Sequence, residues 1–156
     1  MSKLKEADFY YGAVLSNLLN NHICPALIEG GTDRQIYDFT TDNTEFRLFV
    51  KYRSEPIKTK TVNYLSWQFA FSDSDIRELS DYYSQNMNVS LGLVCGDVPM
   101  RQSQYAVLHK DELKEQLLQP GKKSITLSIK KGERAFRLSV GGGREKAIQI
   151  PSNRLY

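Results

Sequence analysis

Apolar side chains along this chain switch between two periods, and the switches outline its elements. Over residues 5–20, Tyr11, Val14, Leu15, Leu18 and Leu19 recur at the helical period while Lys5, Asp8, Ser16 and Asn20 take the other side, which predicts an amphipathic helix. Asn20, Asn21 and Pro25 stop it, and residues 23–28 are short and apolar enough for a first strand, closed by Gly30 and Gly31. Residues 34–40 and 44–53 then alternate around a Thr41-Asp42-Asn43 turn and predict a hairpin. Tyr37, Phe39, Phe46, Leu48, Val50 and Tyr52 share one face of it. Ile36, Asp38, Arg47, Phe49, Lys51 and Arg53 share the other.

Residues 54–63 carry no periodicity and read as an exposed loop. Leu65, Trp67, Phe69 and Phe71 alternate as a further strand. Ser72 with Asp75 is a capping box opening a helix to about residue 86. The nearly all-apolar run 89–95 predicts a strand covered on both faces, 104–108 another strand, and 110–118 a short helix ended by Pro120 and Gly121. At the end of the chain, Ile125, Leu127 and Ile129 alternate into a Lys131-Gly132 turn and Phe136, Leu138 and Val140 alternate out of it. A two-residue loop there would pair 129 with 134, 127 with 136 and 125 with 138. A glycine loop at 141–143 leads to a last strand over 147–150. The order predicts an α+β protein of one domain, residues 1–156: a central mixed sheet flanked by helices over about 5–118, and a basic C-terminal β-hairpin within a β-rich part at 121–156 that extends or covers the sheet.

Charge changes the picture more than composition does. The net charge of +3 over 156 residues is ordinary, but residues 1–120 hold 12 Lys/Arg against 16 Asp/Glu, while residues 121–156 hold 9 against 2. An acidic body therefore carries a basic end, and its partners are expected to be nucleic acid or an acidic protein surface. No apolar run approaches the ~20 residues of a membrane span and the N-terminus lacks a signal-peptide pattern, so a cytoplasmic protein without a membrane partner is expected. Cys24 and Cys95 stand singly in apolar contexts and are expected to be small buried hydrophobes.

The order helix, three strands, helix, strand over residues 5–95, with Asp38 on the second strand and Lys51 in the third-strand segment RLFVKYR, resembles the core of the PD-(D/E)XK, or restriction-endonuclease-like, superfamily. That resemblance implies a metal-dependent nuclease in which carboxylates hold Mg²⁺ and a lysine helps polarise water or the scissile phosphate. It carries over Asp38, Lys51 and Glu29 as catalytic candidates, with Asp38 and Glu29 as the metal ligands of an active form. Phe49 occupies the position where the family has its second acid, which makes the motif degenerate; Glu6 or Glu29 would have to replace it, since Glu45, six residues from Lys51 on an extended strand, is too far to share one metal. A tight turn would instead set Asp38 opposite Arg47 as a cross-strand ion pair.

The nucleic-acid-binding candidates are Arg47, Arg53, Lys58, Lys60, Lys130, Lys131, Arg134, Arg137 and Arg144, cations on loops and solvent-facing strand positions. The leading expectation is a cytosolic protein with a degenerate nuclease-like core that binds nucleic acid or another polyanion, needs no cofactor, and takes Mg²⁺ only if active. The alternative is a non-enzymatic module resembling the α+β folds of secretion chaperones, a homodimer that holds a partner protein through apolar strands and the helices bearing Tyr10, Tyr11, Tyr82 and Tyr83.

Overall fold

A computed structural model describes residues 3–58, 63–140 and 146–156. The chain is α+β, with three helices and two sheets among the described residues. Helix α1 (Glu6–Asn20) leads into β1 (Ala26–Glu29), β2 (Gln35–Thr41) and β3 (Thr44–Arg53); β4 (Tyr64–Ala70) and α2 (Asp73–Ser84) precede β5 (Val89–Cys95) and β6 (Gln104–Leu108). Helix α3 starts as an α-turn (Lys110–Leu113) and widens into a π-helical stretch (Lys114–Leu118), followed by β7 (Ser124–Lys130), β8 (Ala135–Leu138) and β9 (Ile148–Pro151).

The central sheet has the order β1-β2-β3-β5-β6 and is mixed, because β5 runs parallel to β3 while its other neighbours are antiparallel. Asp42 and Asn43 both take left-handed backbone angles (φ 48° and 65°), the geometry of a two-residue hairpin turn that asparagine and aspartate tolerate. That turn pairs Thr41 with Thr44 and thereby sets Asp38 opposite Arg47.

The two parities of the β2–β3 hairpin build two layers. Tyr37, Phe39, Leu48 and Val50 pack with Ala7, Tyr10, Tyr11, Val14 and Leu18 of α1. Ile36 and Phe49 face the other way, into a larger core with Leu91, Leu93, Trp67, Phe69, Leu127, Phe136 and Ile150, which α2 and α3 close through Leu79 and Leu117. Strand β5 is buried along its whole length, since both layers cover it.

Strand β4 leaves the central sheet and forms a second one, β4-β7-β8-β9, with the C-terminal hairpin. It passes the ends of the central strands in turn: Tyr64 shares a pocket with Gln104, Trp67 donates its indole N–H to Gly96 O at 2.7 Å, and the Phe71 ring lies under Lys51. Gly96 is required at that crossing, because a Cβ there would come within 2.4 Å of Arg53 O.

Two sequence expectations change. The C-terminal hairpin covers the central sheet, and its register pairs Leu127 with Leu138 rather than 136, because the turn is wider than two residues; a shift of two leaves every side chain on its expected face. Cys24 is exposed, lying just before the open edge strand β1, while Cys95 is buried as expected, and burial pushes its thiol pKa up. Of the helix tyrosines, Tyr10, Tyr11 and Tyr82 are buried in the chain's own core. The expected glycine loop at 141–143 lies outside the described residues.

Candidate functional site

Asp38 and Lys51 lie on one face of the hairpin, as parity requires, but they do not meet. Both oxygens of Asp38 accept from Arg47, at 2.7 and 2.8 Å, and the guanidinium also stacks over Tyr82, 4.8 Å from the ring centroid. Arg47 is held protonated well beyond the arginine norm, chiefly by the Asp38 hydrogen bonds. Lys51 sits four residues further along β3, about 13 Å away on an extended strand.

Lys51 belongs to a second cluster, built where α2 begins. The Ser72 hydroxyl accepts from Asp75 N at 3.0 Å, and the Asp75 carboxylate returns the bond to Ser72 N at 2.9 Å, closing the capping box read from the sequence. That box turns Asp75 inward on the same stripe as Leu79 and Tyr82, where it is 3% exposed. Lys51 Nζ then donates to Oδ2 at 2.7 Å and Arg34 Nη1 to Oδ1 at 2.9 Å. Arg34 also donates Nε and Nη2 to the two oxygens of Glu29, at 2.5 and 3.1 Å, and its guanidinium lies over Phe49, 5.4 Å from the ring centroid.

Burial by itself would raise the Asp75 pKa; hydrogen bonds from Lys51, the Ser72 backbone and Arg34 outweigh it and hold the carboxyl below its ordinary value. Glu29 is lowered as well, first by its hydrogen bond from Arg34. The cluster is thus two carboxylates and two cations, closed on itself, with a guanidinium between the carboxylates.

This donor set does not fit Mg²⁺. The two carboxylates expected as ligands, Asp38 and Glu29, are each held through both oxygens by a different arginine, and no group of three or more His, Cys, Asp or Glu among the described residues is placed to hold a metal ion.

The nucleic-acid-binding candidates divide in the same way. Arg47 is paired with Asp38, and Arg137 with Glu133 at 2.8 Å. Arg53, Lys58, Lys130, Lys131 and Arg134 are exposed and belong to none of the ion pairs among the described residues. Lys60 and Arg144 lie outside the described residues.

Lys58, Lys130, Lys131 and Arg134 lie on segments that meet along the start of β4, whereas Arg53 lines a pocket with Phe69, Phe71 and Asp75 beside the inner cluster. Gly96 N donates to Arg53 O, tying the end of β3 to the β5–β6 loop; Ile57 N donates to Ser66 O on β4; Lys131 N donates to Asn63 O at the start of β4. Arg101, also exposed, stands on the β5–β6 loop with Val98 and Met100, which are 70% and 46% exposed. Lys130 at the end of β7 and Lys131 in the β7–β8 turn line a pocket with Asp97 and Gln102 of that loop and Gln104 at the start of β6.

Sequence reading missed Arg34, Asp75 and Arg101. A signal for Asp75 existed: a carboxylate four and seven residues before Leu79 and Tyr82 falls on the buried stripe of its helix, where a charge needs a partner. The partners are 41 and 24 residues away in sequence, beyond what spacing reveals.

Fold and site together define an α+β chain with a self-neutralised polar cluster at one helix start and a free basic end. Compared with known proteins, it matches no family model, no curated protein and no solved structure. Among the described residues, no helix is long and apolar enough to cross a membrane.

Proposed function

We propose that this chain binds nucleic acid through its basic end and holds it without cutting it, the nuclease-like core being degenerate. The observation that carries this reading is the sorting of cations: Lys51, Arg34, Arg47 and Arg137 are consumed by carboxylates, whereas Lys58, Lys130, Lys131 and Arg134 stand exposed on segments joined along the start of β4. Flexible exposed cations of this kind neutralise phosphates and release counterions. The element order over residues 5–95, with β5 parallel to β3, supports the resemblance to the restriction-endonuclease-like core, and the arginine clasp on Glu29 supports its degeneracy. Cys24 and Cys95 are free, which supports a cytosolic setting.

Binding and cleavage of labelled DNA and RNA, with Mg²⁺ or Mn²⁺ across a salt series, tests the proposal. Retention that falls steeply with salt and leaves the strands intact is the expected result. Cleavage that disappears in Asp38→Ala would restore the enzyme reading, and no retention at low salt would remove the nucleic-acid reading.

A second reading, the homodimeric interaction module, is favoured by one feature. Strand β1 is an open edge of the central sheet, with Leu27 59% and Ile28 49% exposed. Sedimentation of the chain and of Leu27→Lys tests it: a dimer that the substitution dissociates supports this reading, and a monomer rejects it.

A further inference from the structure

The basic end holds a pocket of about 470 Å³, within the roughly 300–1,000 Å³ range of ligand sites, between the β4–β7 strand pair and the β5–β6 loop. Its apolar side is Leu65 with Ile129, which are partners in strand register. Asn63, Gln102 and Gln104 add side-chain amides, and those of Gln102 and Gln104 have no hydrogen-bond partner among the described residues. Lys130 and Lys131 stand exposed at its mouth. Two acids also line it: Glu133 is paired with Arg137, whereas Asp97 accepts from Val98 N at 2.7 Å through one oxygen and belongs to none of the ion pairs among the described residues.

Resting on the nucleic-acid reading above, we propose that this pocket takes an unpaired base of a single strand. A base presents an apolar face and an edge of donors and acceptors; Leu65 and Ile129 match the face, and amides, which carry both a donor and an acceptor, match the edge. The lysines lie where the flanking phosphates would run. Val98 and Met100, on the same loop, offer exposed apolar side chains for a neighbouring unstacked base. A base within a duplex is stacked and paired and cannot enter, so the pocket selects single strands.

The test is fluorescence anisotropy with three labelled probes of equal length and charge per strand: a single-stranded 12-mer, the same 12-mer in a duplex, and the 12-mer with abasic sites at its centre. The wild-type chain and the doubly substituted Gln102→Ala/Gln104→Ala are compared, with thermal unfolding confirming that both fold. Expected is about tenfold tighter binding of the intact single strand than of the duplex or abasic probe, and a roughly five- to tenfold loss for the single strand alone in the double variant. These are effects of one or two hydrogen-bonded contacts. Equal binding of all three probes, unchanged by the substitutions, overturns the pocket and leaves the basic end as a general polyanion surface. No binding of any probe at low salt overturns the nucleic-acid reading first.

Discussion

Two regions use the same residue types to opposite ends. At the start of α2, Lys51 and Arg34 lie against Asp75 and Glu29, with side chains only 12% and 13% exposed for the two cations. At the basic end, Lys130, Lys131 and Arg134 project into water from the β7–β8 turn. The first region spends its charge internally and ties four segments together: the end of β1, the loop before β2, the third strand and the second helix. The second keeps its charge available and ties down little. A count of lysines and arginines cannot tell them apart; the position of the nearest carboxylate does, and on that difference the functional reading turns.

Removing a carboxylate from the inner cluster is expected to have the largest effect. Asp75→Ala leaves the largely buried Lys51 without its carboxylate, takes one of the two carboxylates from Arg34 and removes half of the capping box, so a loss of about 3–5 kcal/mol in denaturant unfolding is expected. Adding Lys51→Met should recover part of it, because one unpaired charge goes with it. A loss below about 1 kcal/mol would place the cluster with ordinary surface pairs and break the contrast.

At the outer region the sensitivity reverses. Lys130→Glu with Lys131→Glu is expected to weaken nucleic-acid binding at least tenfold, about 1.4 kcal/mol, while the melting temperature stays within a degree or two. If stability falls instead and binding persists, the assignments of the two regions are exchanged.

Acid separates the regions again. The folded pKa values of Asp75 and Glu29 lie below their ordinary values, so the stability they contribute is fully present above the unfolded carboxylate pKa of about 4 and is lost as the pH falls through the folded values. The unfolding midpoint should therefore be flat from about pH 7 to 5 and drop below about pH 4, and Asp75→Asn should start lower and drop less. A midpoint that declines just as steeply in Asp75→Asn would assign acid sensitivity to other carboxylates.

The smallest change is expected at Asp38. Its carboxylate is 37% exposed, although Arg47 is only 18% exposed, so Asp38→Ala should cost less than Asp75→Ala, about 1 kcal/mol. Binding should stay the same or tighten slightly, because a cation is released.

Much of this fold is legible as periodicity. The limits of β3, β5 and β6 coincide with runs that alternate or stay apolar, and the Asp42–Asn43 turn places Asp38 opposite Arg47 by geometry alone. What alternation encodes is a face, not a partner. Strand β4 alternates whether it joins the central sheet or, as it does, pairs with β7 about 60 residues later. The two-residue shift of the C-terminal hairpin escaped for the same reason, since both registers bury Leu127 and Leu138. At the candidate site, the cross-strand pair was readable because the turn is local. The Glu29–Arg34–Asp75–Lys51 cluster was not, because the bonds that join it, from Arg34 and Lys51 to Asp75, bridge 41 and 24 residues of sequence.

The most direct test of the central claim is the dependence of binding on salt for a labelled single-stranded 12-mer. If three to five of the exposed cations at the basic end each meet a phosphate, log affinity should fall linearly with log salt with a slope of about −2 to −3.5, while the strand stays intact with Mg²⁺ present. A slope near zero, or no binding at about 50 mM salt, would contradict the account.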